Sequence, residues 1–135
     1  MARCKKDQAF TVVEILIVVG IISLIAAISI PNLIVTKRLA NEIAAKGNLR
    51  SLANATETAS VSLGYYPTTV AQLSNFIGSA PSFCADATGG VTQLNGYSYS
   101  CTFDITGYTY LATPVTFGTS GSITYTATTG AIITP

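Results

Sequence analysis

Residues 9–33 read AFTVVEILIVVGIISLIAAISIPNL, and Ile15 to Ile30 form sixteen consecutive residues without a charge. Adding Phe10–Val13 and Leu33–Val35 extends the apolar character to about 25 residues, against the roughly 20 that cross a bilayer core as helix. Only Glu14, Pro31 and Asn32 interrupt it. The preceding MARCKKDQA carries three basic residues and one acid. The positive-inside rule then keeps the N-terminus cytoplasmic and places the remainder outside. A secretory signal peptide is the competing reading, but its apolar core runs only about 7–15 residues and ends in a small-residue cleavage site. Here the run is longer, has a carboxylate at its edge and passes into helix-forming sequence.

Glu14 is the informative residue of this segment. An ionised carboxylate near the bilayer core costs a few kcal/mol, so intramembrane acids usually have a partner and a function. Lys6 lies eight residues before it, and the next basic residue is Lys37. The partner is expected from another chain or from a newly created N-terminus.

A basic leader ending in a small residue, then Phe, a hydroxyl residue, two aliphatics, Glu, an apolar run and Pro, resembles the N-terminus of type IV pilins and pseudopilins. The resemblance covers Ala9 to Leu33. It implies that a prepilin peptidase cuts between Ala9 and Phe10 and methylates the new α-amine of Phe10. The family usually has Gly before the cut, where this chain has the comparably small Ala9. Phe10, Glu14 and Pro31 would serve assembly, the Phe10 amine of one subunit neutralising Glu14 of its neighbour. The implied partners are further copies of the chain in a helical filament, the peptidase, an inner-membrane assembly platform and, before assembly, membrane lipid. The implied location is the inner membrane, then the cell surface. A pseudopilin of a type II secretion system and a minor tip pilin acting as adhesin share the motif.

The expected organisation is a leader at 1–9, a long helix at 10–64 whose 10–35 segment lies in the membrane or filament core, and a connector plus antiparallel β head at 65–135. The class is α+β. Pro31 removes one intrahelical hydrogen bond and should kink or loosen the rod. Helix formers dominate from Thr36 to Leu63, and Gly64 is a stop signal. At 100° per residue Ala45, Leu49, Leu52, Ala59 and Leu63 share one face. Leu39, Ile43 and Val61 form a second stripe, so one face should pack on the head and the other should meet neighbouring helices. A short helix is expected near Val70–Ile77. From Gly96 the period becomes two, Tyr97, Tyr99, Cys101, Phe103 and Ile105 alternating with polar residues. Turn signals at Thr106-Gly107, Ser120-Gly121 and Thr129-Gly130 predict four strands near 97–104, 108–113, 122–128 and 131–134.

Composition removes other function classes. With 135 residues, no His, three Cys and a net charge of +1, the chain lacks the usual neutral-pH general base and commonest metal ligand. All seven basic residues precede Ser51, and the 85 residues from there on hold 17 Thr, 10 Ser and three acids, Glu57, Asp86 and Asp104. This argues against an enzyme, against nucleic-acid binding, whose phosphates call for nearby cations, and against a calcium site, which needs more carboxylates. No cofactor is implied. Cys84 and Cys101 fall in the exported part, where disulfides form. A bridge would close a loop of about 18 residues, worth roughly 3 kcal/mol; two separate buried thiols are the alternative. The seven Tyr and four Phe between Tyr65 and Tyr125 are read as core and subunit interface.

Overall fold

The computed structural model describes residues 10–77, Cys84 and residues 92–135. The leader with Ala9, and the connector positions 78–83 and 85–91, lie outside the described residues. The chain divides into two units, one ending at Ile34 and the other spanning Val35–Pro135. Helix α1 runs from Val12 to Leu63 with Pro31 inside it. Proline has no N–H to donate to the carbonyl one turn earlier, so Pro31 weakens this helix without ending it. The end comes at Gly64, whose φ of +79° is the left-handed conformation that glycine adopts at no steric cost.

In the first unit every large apolar side chain from Phe10 to Ile34 is at least 45% exposed. The segment is long and apolar enough to cross a membrane. In the second unit α1 buries Glu42, Ala45, Leu49, Leu52, Ala53, Thr56 and Ala59. Spacings of three and four keep these residues on one stripe of a 3.6-residue helix. Leu63, expected on the same stripe, is 36% exposed in the last turn. Leu39, Ile43 and Val61, the expected second stripe, are all exposed.

The stripe packs on a five-stranded antiparallel meander in chain order, β1 Thr92–Leu94, β2 Tyr97–Asp104, β3 Gly107–Pro114, β4 Tyr125–Thr128 and β5 Ile132–Thr134. Large and small residues interlock on the helix-facing side. Tyr99 stands opposite Ala112, Ala112 opposite Tyr125, and Tyr110 opposite Ala127. Tyr97, Tyr99, Tyr108, Tyr110 and Tyr125 are all buried. Aromatic rings supply much apolar area from few residues, and their hydroxyls need partners once buried. The partners exist. Tyr97 donates to the Ile123 carbonyl at 2.9 Å, Tyr99 accepts from Asn48 Nδ2 at 3.0 Å, and Tyr110 shares a 2.6 Å hydrogen bond with Thr56.

Two strand expectations need correction. Five strands form instead of four, because Asn95 (φ 51°) and Gly96 (φ 73°) make a two-residue turn with both residues left-handed. Asn-Gly is the strongest short hairpin signal, and it pairs the short β1 with the start of β2. The third expected strand, 122–128, begins only at Tyr125. Ser122 donates its backbone N–H to Glu42 instead of to a ladder. The expected helix at 70–77 is the five-residue α2, Val70–Ser74, capped by the Thr69 side chain.

Candidate functional site

Two sets of residues carry functional interest, one at the start of α1 and one where α1 meets the sheet. At the start, Glu14 Oε2 accepts from the Thr11 backbone N–H at 2.9 Å and from Thr11 Oγ1 at 2.8 Å. Thr11 Oγ1 in turn accepts from the Glu14 backbone N–H at 3.3 Å. This is a reciprocal capping box, which satisfies two of the backbone donors that a helix start leaves without partners. The Thr-x-x-Glu signal for it stands in the sequence, and the reading above passed over it. Glu14 therefore has a local hydrogen-bond partner but no cation, and Oε1 carries no hydrogen bond among the described residues. Phe10, beside it, is exposed.

In the second unit three polar residues of α1 fasten loops that the meander leaves unpaired. Glu42 Oε1 accepts from Ser122 Oγ at 2.7 Å and from Ser122 N at 2.8 Å. These donors favour the charged form and hold the Glu42 carboxyl below the usual range, helped by Arg38 and Lys46 nearby. Asn41 Nδ2 donates to the Ser120 carbonyl at 2.9 Å. Between them Gly121 lies so close to the Tyr97 ring that a Cβ would overlap it. About four turns further along, Glu57 Oε1 accepts from Tyr108 at 3.0 Å and from the Gly130 N–H at 2.6 Å, and Oε2 accepts from Tyr66 at 3.1 Å. Sequence reading assigned no role to Glu42, Asn41 or Glu57. A carboxylate on a helix reads as solvent-facing until its donors, some eighty residues away, are in place.

Burial raises the affinity of the core tyrosines for their protons. Tyr97 is pushed up to about 12, mainly by desolvation and then by the nearby Glu42 charge. Tyr108 and Tyr110 are raised by the same desolvation. These rings are neutral packing elements. Lys46 Nζ lies 4.9 Å from the Tyr125 ring centroid, a cation–π contact. Cys84 and Cys101 form a disulfide with Cα atoms 5.8 Å apart, tying β2 to the connector. Among the described residues no three potential metal ligands come together.

The tip of the β2–β3 hairpin forms a cleft of about 260 Å³ lined by Thr102, Asp104, Thr106, Tyr108, Thr109 and Thr129. Asp104 Oδ1 accepts from Thr106 N and from Thr106 Oγ1, each at 3.1 Å. Those bonds, the backbone one first, hold the Asp104 carboxyl below its ordinary range.

Among curated proteins, none matches the chain. Residues 4–30 match the model of the prokaryotic N-terminal methylation motif. That span covers the basic leader, Phe10, the Thr11–Glu14 box and the apolar run up to Ile30. The chain thus carries the type IV pilin and pseudopilin prepilin signature, in an α+β arrangement of long helix and small antiparallel sheet that is pilin-like.

Proposed function

We propose that the chain is the structural subunit of an extracellular type IV pilus-like filament. The observation that carries this reading is an apolar segment wholly exposed in the subunit, with one carboxylate at its edge, inside the matched motif. So much exposed apolar surface needs lipid or other helices around it. The precursor is stored in the inner membrane until the peptidase cuts between Ala9 and Phe10. The chain is the substrate of that reaction and not its catalyst.

Cleavage leaves an ammonium at Phe10, four residues before Glu14. A neighbour shifted along the axis brings its own Phe10 amine to the open Oε1 of Glu14, while Thr11 holds Oε2. A buried carboxylate without a cation is costly, so the pair selects assembled over isolated subunits and sets the axial register. Pro31 loosens the rod so that it can adjust to its neighbours. The head supplies the outer surface.

Intact mass spectrometry of sheared filaments, beside the membrane fraction, tests the reading. The expected dominant sheared species begins at methylated Phe10 and is two hydrogens light from the Cys84–Cys101 bond. Processed chain confined to the membrane, with sheared filaments lacking it, would replace this reading with a secretion pseudopilin.

A further inference from the structure

Charge accounting in the second unit leaves Lys37 and Arg50 on α1, and Asp104 on the sheet, as exposed charges outside the loop-fastening contacts. Its basic residues, Lys37, Arg38, Lys46 and Arg50, all lie on α1. Arg38 and Lys46 flank Glu42, and Lys46 also covers Tyr125. Arg50 is exposed and makes no hydrogen bond or ion pair among the described residues. It sits in the unburied stripe, seven residues after Ile43 and eleven before Val61, within about 20° of both on the helical wheel. Of the described carboxylates in this unit, Glu42 and Glu57 are spent on fastening loops. Asp104 alone lies outside α1; it is exposed, with Oδ1 held by Thr106. Beside it Ile105 is 65% exposed.

We propose that the β2–β3 hairpin tip of one copy docks on the outer stripe of α1 of a second copy, the cleft at Asp104 receiving Arg50. The proposal deepens the filament reading and rests on it. The chemistry matches on both sides. Guanidinium offers five donors and no acceptor, while the cleft offers a carboxylate and the hydroxyls of Thr102, Thr106, Thr109 and Thr129. Ile105 adds an exposed apolar side chain beside the cleft.

The contact fixes an axial displacement between the two copies. Tyr108 and Gly130 bond to Glu57, so the hairpin tip stands at about the level of Glu57. Arg50 lies seven residues earlier, about 10 Å at 1.5 Å per residue. The second copy must therefore be displaced by that amount toward the C-terminal end of α1.

The test is a double-mutant cycle on filaments sheared from cells producing the full chain. Asp104→Asn keeps an oxygen for Thr106 and removes the charge; Arg50→Gln keeps the length of a polar side chain. Each is expected to lower filament yield about tenfold, the scale of losing a hydrogen bond to a charged group, with unchanged amounts of processed subunit in the membrane. The double variant should be no worse than either single, and the swap of Asp104→Arg with Arg50→Asp should recover yield above the single reversals. Wild-type yield from the single variants, additive losses, or a swap no better than its parts would overturn the contact while leaving the filament reading standing. No filaments from the wild-type chain would overturn both.

Discussion

The two parts of α1 are the same secondary structure built for different surroundings. Up to Ile34 the helix is apolar all round and buries nothing within the subunit. From Val35 it carries a single buried stripe, Glu42 to Ala59, and turns polar residues toward loops of its own unit. A helix that is hydrophobic on every face must find its environment outside the chain. One with a stripe and satisfied polar groups has found it inside. Unsatisfied apolar surface is thereby concentrated at the first part, and internal packing at the second.

The sharpest way to break this comparison is Glu14→Val. It is expected to reduce filaments by more than tenfold while the chain still inserts in membranes, because an unpaired buried charge and its partner are strongly coupled. Normal filaments made from that variant alone would show that the first part assembles on apolar packing only. Next comes Leu49→Ala, which empties a fully buried position under the sheet. A loss of about 2–5 kcal/mol in unfolding free energy is expected, read by denaturant titration in detergent, where the first part should keep its helix.

Reducing the Cys84–Cys101 bond should lower stability by roughly 3 kcal/mol, measured as a shifted thermal midpoint. Glu57→Ala leaves the Tyr66, Tyr108 and Gly130 donors without their acceptor, and a cost of about 1–3 kcal/mol is expected. Faster amide exchange at Gly130 and Ala131, with β2 unchanged, would localise it. The smallest effect is a pH dependence at Glu42. Its folded carboxyl titrates below the ordinary value of 4.5, so the unfolded state takes up the proton first as pH falls. Stability from the Ser122 contacts is full above 4.5 and drains below it. Glu42→Gln should flatten that slope, and an unchanged acid slope would remove Glu42 from the account.

Most of this arrangement was legible because it depends on local pattern. The apolar run, the helix formers ending at Gly64 and the alternation in Tyr97–Phe103 each announce themselves within a few residues. Burial of the tyrosines followed from a segment with many rings and almost no charge. What escaped was of two kinds. Asn95-Gly96 and Thr11-x-x-Glu14 were local signals overlooked beside louder ones, a period-two run and a membrane segment. The late start of β4 was not local at all, since Ser122 leaves the ladder for a carboxylate eighty residues away.

By itself the sequence determined that a membrane-competent helix precedes a nearly uncharged β head, because hydrophobic length acts without reference to distant residues. It also marked two apolar stripes on the helix, and only the fold decided which of them is buried. Tertiary structure alone decided which polar groups are consumed inside the subunit. Glu42 and Glu57 find backbone donors only after the meander has folded over them. Once they are spent, Lys37, Arg50 and Asp104 remain as exposed charges outside those contacts, and that remainder depends on three-dimensional hydrogen-bond satisfaction, not on residue order.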